Sequence, residues 1–102
     1  MIQMKVEVKH LSINFTNRHD WPYRNEVIVD GKYTYDKKTP EPLMYVQWSN
    51  DYAAYICIHV RNTRSHWYES EKYDRNTERN ELFYCVEKKH CIFVRCKDAI
   101  SK

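Results

Sequence analysis

The sequence has little glycine, little proline and no long apolar run. Among its 102 residues there are one glycine, Gly31, and three prolines. Loops that wrap phosphate groups need several glycines, so nucleotide-binding motifs of that kind are excluded. No apolar run reaches the roughly 18 residues of a transmembrane helix. The N-terminal letters MIQMKVEVKH also lack the apolar core of a secretory signal, so we expect neither a membrane span nor Sec-type export.

The composition that remains is that of one folded domain. Hydrophobic residues make up 42% of the chain, aromatic residues 15% and charged residues 30%. This balance predicts a packed core within a single domain, residues 1–102. The net charge is +3, and the excess lies in the second half, where Lys and Arg outnumber Asp and Glu by ten to seven. So mild an excess is typical of a solvated surface, and it leaves nucleic-acid binding open.

Alternating apolar and β-branched residues predict strands along most of the chain. The predicted strand segments are Val6–Phe15 with a bulge near Lys9–His10, Leu43–Trp48, Tyr52–Arg61, Leu82–Glu87 and Cys91–Cys96. Asp30-Gly31 predicts a tight hairpin within 26–35, because type I′ turns need a positive φ at both central positions. The polar stretch 64–81 is either a long loop or a solvated helix. The predicted fold class is therefore α+β, predominantly antiparallel β.

Two stretches of the chain have similar letters, which predicts an internal repeat. Residues 57–61 read CIHVR and residues 91–95 read CIFVR. Upstream, YDKKTPEPLMYV at 35–46 matches YDRNTERNELFYCV at 73–86, and NRHDW at 17–21 resembles NTRSHW at 62–67. We therefore expect two similar motifs, approximately 1–52 and 53–102, that share one core. A groove between such motifs is where a partner would bind.

These segments, from MIQMKVEVKHLSINF to CIFVRCKDAISK, cover the whole chain, which resembles the small orphan proteins of filamentous viruses that infect the hyperthermophilic archaeon Acidianus. The resemblance implies a viral protein that acts in the cytoplasm of the host cell or in the virion. It implies no activity and no catalytic residue, because no such motif is defined for these proteins. It therefore specifies the origin of the chain much better than its function.

The four cysteines leave two alternatives open in such a host. They are free core thiols, or some form the intracellular disulfides known from hyperthermophiles. If Lys88 tops a three-residue turn, Cys85 and Cys91 face each other across a hairpin at a separation that suits a disulfide. A zinc site would draw on these two, His90 and Cys96, but their spacing lacks the paired C-x2-C knuckles of structural zinc sites. We predict no metal and no cofactor.

An enzymatic alternative rests on three residues, Asp74, Glu87 and Lys89. Paired carboxylates and a lysine can hold Mg²⁺ and help to activate a water for phosphodiester cleavage. The spacing resembles that of restriction-endonuclease-like enzymes, but it is short and common in charged chains. A metal-dependent nuclease is therefore a remote alternative, and the favoured prediction is that the protein is not an enzyme.

The aromatic residues carry the favoured functional prediction. Tyrosine and tryptophan are enriched at recognition surfaces, so those that the core does not need are expected to line the groove. The groove candidates are Trp21, Tyr35, Trp48, Trp67, Tyr73 and Tyr84. We expect a non-enzymatic module that binds a protein or an extended peptide there. In the alternative, a nucleic-acid-binding protein, the aromatic residues stack bases and nearby arginines bind the backbone. Those arginines are Arg61, Arg64, Arg75 and Arg79.

Overall fold

The computed structural model describes residues 4–96, which form two β-sheets packed on one core. The strands are β1 (Val6–His10), β2 (Glu26–Gly31), β3 (Met44–Trp48), β4 (Ala54–His59), β5 (Tyr68–Asp74), β6 (Arg79–Glu87) and β7 (Ile92–Arg95). The helices are α1 (Lys32–Asp36) and α2 (Val60–Thr63), with 3₁₀ turns at Arg18–Asp20, Arg64–His66 and Lys88–His90. A β-rich α+β class is confirmed.

One sheet has four strands in the order β1-β3-β4-β7, and the other has three in the order β2-β6-β5. Only the β1–β3 pair is parallel among the pairs that the structure describes. The core lies between the sheets, because alternate residues of strands in both sheets point inward. Ile56 and Ile58 of β4 are fully buried, as are Val27 and Val29 of β2. The strands predicted within Leu43–Trp48 and Tyr52–Arg61 are confirmed as β3 and β4, which pair as an antiparallel hairpin.

The hairpin predicted at Asp30-Gly31 is wrong. Gly31 has a φ of −61° and passes the chain from β2 directly into α1. Asp30 is buried, and its carboxylate accepts hydrogen bonds from the Gly31 amide at 2.8 Å and from the Tyr45 hydroxyl at 2.6 Å. The aspartate therefore serves the core between the sheets instead of a solvated turn.

The loop or helix predicted over 64–81 is also wrong, because most of this stretch is the β5–β6 hairpin. The strands pair from Tyr68 opposite Cys85 to Asp74 opposite Arg79. Glu78 closes the turn with a φ of 57°, and its amide donates to the Asp74 carbonyl at 2.7 Å. The stretch is polar because β5 is an edge strand with no buried residue, so hydrophobic alternation gives no signal there.

The predicted Cys85–Cys91 disulfide is not formed, because the hairpin that it needs does not exist. Cys85 lies in β6 of the three-stranded sheet, opposite Ile28 and Tyr68. Cys91 comes directly before β7, which belongs to the other sheet. Both cysteines are buried free thiols, and Cys57 and Cys96 are free as well.

The free thiols give a direct chemical prediction. Burial raises the pKa of Cys85 to about 11 and that of Cys91 to about 12. Since the thiolate is the reactive form, we expect neither cysteine to react with a thiol reagent near pH 8 while the protein is folded. In denaturant without reductant, all four cysteines of the chain should react. A titration that finds only two thiols would show a disulfide instead.

The internal repeat is not confirmed. Tyr35 lies in α1 whereas Tyr73 lies in β5, and each sheet takes strands from both halves of the chain. The pentapeptides that matched do not occupy equivalent places, since β4 and β7 are antiparallel partners and only Cys57 of residues 57–61 is paired there, opposite Ile92. The two sheets do share a topology, because in each one the second strand of a hairpin also pairs with a third, antiparallel strand. In the β3–β4 hairpin β4 pairs with β7, and in the β5–β6 hairpin β6 pairs with β2. The outer ends of the predicted motifs, 1–3 and 97–102, lie outside the described residues.

Candidate functional site

A cleft of about 420 Å³ opens between the four-stranded sheet and β2. Its walls are mostly apolar, and a few polar side chains stand among them. The lining residues are Leu11, Ile13, Trp21, Tyr23 and Ile28, with Lys9, Ser12, Glu26, Gln47 and Lys72. A volume of roughly 300–1,000 Å³, apolar walls and a small number of polar groups are typical of ligand sites.

One wall is the segment that follows β1. The sequence predicts a strand to Phe15, but β1 ends at His10 and the chain continues without strand pairing. The segment is held to the end of β3, because the Leu11 amide donates to the Trp48 carbonyl at 2.9 Å. The predicted alternation of side chains is nevertheless confirmed, since Leu11 and Ile13 pack against the core and Phe15 is buried.

Trp21 forms the second wall, and a capping box fixes the turn before it. The Asp20 carboxylate accepts hydrogen bonds from the Thr16 hydroxyl at 2.7 Å and from the Asn17 amide at 3.0 Å. These bonds lower the pKa of Asp20 to about 2. Its contribution to stability is therefore present above its ordinary pKa and is lost as the pH falls through about 2. The Trp21 indole donates to the Glu26 carbonyl at 2.8 Å, which fixes the ring against β2.

Two side chains of the four-stranded sheet cross to β2 at the base of the cleft. The Gln47 amide donates to the Ile28 carbonyl at 2.7 Å, and the Lys9 ammonium donates to the Val29 carbonyl at 3.0 Å. Burial lowers the pKa of Lys9, and the nearby Asp30 carboxylate opposes that shift. These bonds bridge the two sheets, so the cleft is formed before any ligand arrives.

An ion pair stands at the rim. Lys72 of β5 pairs with Glu26 of β2, and the Tyr68 hydroxyl donates to the same carboxylate at 2.8 Å. Burial alone would raise the pKa of Glu26, but the hydrogen bonds from Lys72 and Tyr68 outweigh it and lower the pKa. With Lys9 and Lys72 against Glu26, the lining carries one net positive charge.

The structure does not bring the six predicted groove aromatics together. Trp21 alone lines the cleft. Tyr35, Trp67 and Tyr84 are buried in a separate cluster, with ring centroids 5.0–5.6 Å apart. Trp48 lies on the opposite face of the four-stranded sheet, and Tyr73 is exposed on β5. The prediction of one groove lined by all six is wrong, because β-branched and aromatic patterns do not tell which sheet face a side chain joins.

The four arginines of the nucleic-acid alternative are also dispersed. Arg61 lies on α2, and the Arg64 guanidinium stacks 4.8 Å from the Tyr84 ring. Arg75 lies in the β5–β6 turn, and Arg79 pairs with Glu81 at 2.6 Å. The seven-residue strand β5 separates the two pairs by about 20 Å. They do not form one basic surface.

The nuclease residues are apart as well. Asp74 lies at the turn end of the β5–β6 hairpin, opposite Arg79, whereas Glu87 and Lys89 lie at the other end of β6. Eight strand residues place the two carboxylates about 26 Å apart, too far to share a metal ion. Within residues 4–96, no group of three or more His, Cys, Asp or Glu side chains could hold one.

Comparison of the chain with known proteins identifies no relative. No protein-family model, curated protein or solved structure matches the chain. None of the helices within residues 4–96 has the length and apolar character needed to cross a membrane.

Proposed function

We propose that this chain is a non-enzymatic protein-interaction module that holds an apolar segment of a partner protein or peptide in the cleft between its two sheets. The observation that carries the proposal is a cleft of about 420 Å³ whose walls are mostly apolar and whose base is fixed by side-chain bridges between the sheets. Trp21 and Tyr23 add rigid aromatic surface, which is enriched where proteins recognise one another.

The bridges also indicate how the partner binds. The Ile28 and Val29 carbonyls of β2 already accept hydrogen bonds from Gln47 and Lys9. A partner strand that added to β2 at these positions would have to displace both. We therefore expect insertion of side chains in preference to main-chain pairing. The single net positive charge of the lining favours a partner segment that carries a carboxylate beside its apolar anchor.

The proposal includes a viral origin for the chain. It rests on the resemblance to the filamentous viruses of Acidianus, which puts the partner among proteins of the infected cell or of the virion. The nucleic-acid alternative has less support, because its four arginines lie in separate places on the structure.

A substitution in the cleft wall tests the proposal. Ile28 is 36% exposed on β2, so Ile28→Glu should fold and put a charge into the apolar wall. Leu43, 42% exposed, is not part of the cleft lining, and Leu43→Glu is the matched control. In a pull-down from infected host lysate, we expect the wild type and Leu43→Glu to retain a protein partner after nuclease treatment. We expect Ile28→Glu to retain at least about ten-fold less of that partner.

The binding site is then located with the captured partner. In an NMR titration with that protein or its binding peptide, the indole signal of Trp21 should move more than those of Trp48 and Trp67. Binding should depend only weakly on salt, because few charges are involved. Capture that vanishes with nuclease, or an Ile28→Glu variant that binds like the wild type, would contradict the proposal.

A further inference from the structure

One cation of the cleft lining has no ion pair within the part of the chain that the structure describes. Lys72 pairs with Glu26 at the rim, so these two charges cancel. Lys9 also lines the cleft, but its ammonium donates to the Val29 carbonyl at 3.0 Å, and no carboxylate of residues 4–96 forms an ion pair with it. The net positive charge of the lining is therefore that of Lys9.

The ammonium of Lys9 is half-buried, and its hydrogen-bonding capacity is only partly used. An ammonium has three N–H donors, and the Val29 carbonyl accepts one of them. Burial lowers the pKa of Lys9, because a charge among apolar groups loses the hydration that it has in water; the nearby Asp30 and Glu7 carboxylates oppose that shift, and Lys38 adds to it. The other donors of the ammonium are therefore available to water or to a ligand that enters the cleft.

The carboxylates near Lys9 already have cationic partners. The Asp30 carboxylate pairs with the Lys38 ammonium at 3.3 Å. The Glu7 carboxylate pairs with Lys38 at 3.5 Å and with Lys5 at 3.4 Å. Three lysines therefore share two carboxylates in this region, and one positive charge is left over. A buried charge is stabilised when a group of opposite charge pairs with it, so an anionic group of a ligand would complete the site.

We propose that the cleft binds the C-terminal residue of a partner chain, with the terminal carboxylate on the Lys9 ammonium and an apolar side chain against Leu11, Ile13 and Ile28. This binding mode rests on the proposed function, and it specifies which part of the partner the cleft holds. A carboxylate accepts a charge-assisted hydrogen bond from an ammonium, and such a bond is stronger among apolar walls than in water. The Val29 carbonyl already holds the ammonium in place, so little side-chain freedom is lost when the carboxylate binds.

A chain end suits this cleft better than an internal acidic residue. The lining has few polar groups, and the Gln47 amide among them already donates to the Ile28 carbonyl. An internal aspartate or glutamate brings a peptide group on each side, and an N–H or C=O group that is buried without a partner costs free energy. In a C-terminal residue the carboxylate and the apolar side chain leave the same Cα atom, and no peptide group follows. Capture of a terminal carboxylate is also a recurring mode of peptide recognition.

Short peptides test the proposal on the full chain by NMR titration, with the indole signal of Trp21 as the readout. The first peptide is acetyl-Ala-Ala-Leu with a free C-terminus, and the second is its C-terminal amide. The third is acetyl-Ala-Leu-Asp amide, whose carboxylate is on a side chain. We expect the free peptide to bind saturably with a dissociation constant of about 1 mM or lower, and both amides to bind at least about ten-fold more weakly.

The substitution Lys9→Gln shows whether Lys9 causes this preference. It removes the charge and keeps a hydrogen-bond donor, so the variant should fold, and it should bind the free peptide no better than the amide. Lys37→Gln is the matched control, since Lys37 is exposed and is not part of the cleft lining. This control should prefer the free peptide as strongly as the wild type does.

Equal binding of the free peptide and either amide by the wild type would overturn the proposal, and so would a free peptide that leaves the Trp21 signal in place at up to about 10 mM. The proposed function is tested separately, with the partner captured from lysate. If that partner still binds after removal of its last residue, but Ile28→Glu loses it, the cleft holds the partner by another segment. If the peptides bind as expected and Ile28→Glu still captures the partner, the cleft recognises a chain end, but the partner binds elsewhere.

Discussion

Replacing Trp67 with alanine is expected to lower the free energy of unfolding by about 3–5 kcal/mol, the usual cost of truncating a buried aromatic residue. Trp67 is only 9% exposed. Its indole donates to the Thr63 hydroxyl at 2.9 Å, and its ring lies 5.0 Å from that of Tyr35 and 5.5 Å from that of Tyr84. The variant would lose this packing and leave a cavity between α1, α2 and β6.

The loss should be visible in an ordinary melt. A domain of this size has a total stability of about 5–15 kcal/mol, and each kcal/mol corresponds to roughly 4–8 °C in the melting temperature. We therefore expect the midpoint of thermal unfolding, followed by circular dichroism, to fall by more than about 12 °C. The Arg64 guanidinium, 4.9 Å from the Trp67 ring, would lose a cation–π partner as well.

Tyr73→Ala is the control for this substitution. Tyr73 was predicted for the same groove as Trp67, but it is 62% exposed on β5. We expect its replacement to change the free energy of unfolding by less than about 0.5 kcal/mol. If both substitutions had equally small effects, Trp67 would be a surface residue, as the groove prediction implied. That result would contradict its burial in the core.

Hydrophobic alternation predicted the strands that have one buried face. The β4 residues Ala54, Ile56 and Ile58 are buried and alternate with half-buried neighbours, which is the pattern that the sequence shows. The same signal failed for β5, where half-buried Ser70 and Lys72 alternate with exposed glutamates and no position is buried. An edge strand held by main-chain pairing to β6 has no need of apolar residues, so its sequence resembles that of a loop.

The local sequence pattern could not predict which of the two sheets each strand joins. Cys85 and Cys91 are six positions apart, and a short polar segment between two apolar runs favoured a hairpin. The 3₁₀ turn Lys88–His90 instead carries the chain from one sheet to the other. The cleft was unpredictable for the same reason. Its lining combines residues from the segment after β1 with side chains of β2, β3 and β5, and only the packing of the two sheets brings them together.

The four-stranded sheet has an exposed face that points away from the core, and its apolar character could have been found from the sequence and the strand register. Met44 and Val46 of β3 alternate with Tyr45 and Gln47, and Tyr55 and Cys57 of β4 alternate with Ile56 and Ile58. These two strands therefore carry no lysine, arginine, aspartate or glutamate on either face. Such runs are typical of strands covered on both sides.

Replacing Asp30 with alanine is the other substitution with a large expected effect, about 3 kcal/mol of unfolding free energy. The Asp30 carboxylate accepts hydrogen bonds from the Tyr45 hydroxyl at 2.6 Å and the Gly31 amide at 2.8 Å, and it pairs with the Lys38 ammonium at 3.3 Å. Tyr45 is fully buried, so its hydroxyl would be left without a partner. The measurement is urea unfolding at neutral pH.

A graded series separates the hydrogen bonds from the charge. Asp30→Asn keeps an acceptor for Tyr45, and Lys38 retains Glu7 as a second carboxylate at 3.5 Å, so we expect a loss of only about 1–2 kcal/mol. Glu87→Gln is the control, since its carboxylate is half exposed and pairs with Lys89 at 3.8 Å. Its effect should stay below about 0.5 kcal/mol. An Asp30→Ala variant as stable as this control would show that the carboxylate does not join the sheets.

The position of Asp30 explains why its replacement should lower the free energy of unfolding so much, although the Asp-Gly sequence predicted a solvated turn there. Asp-Gly is a hairpin signal when its carboxylate is solvated, but here Tyr45 of β3 reaches across the core to bind it. Together with Lys9 and Gln47, this contact is one of three polar links from the four-stranded sheet to β2. The cleft lies beside these links. Asp30→Ala should therefore also shift the indole NMR signal of Trp21.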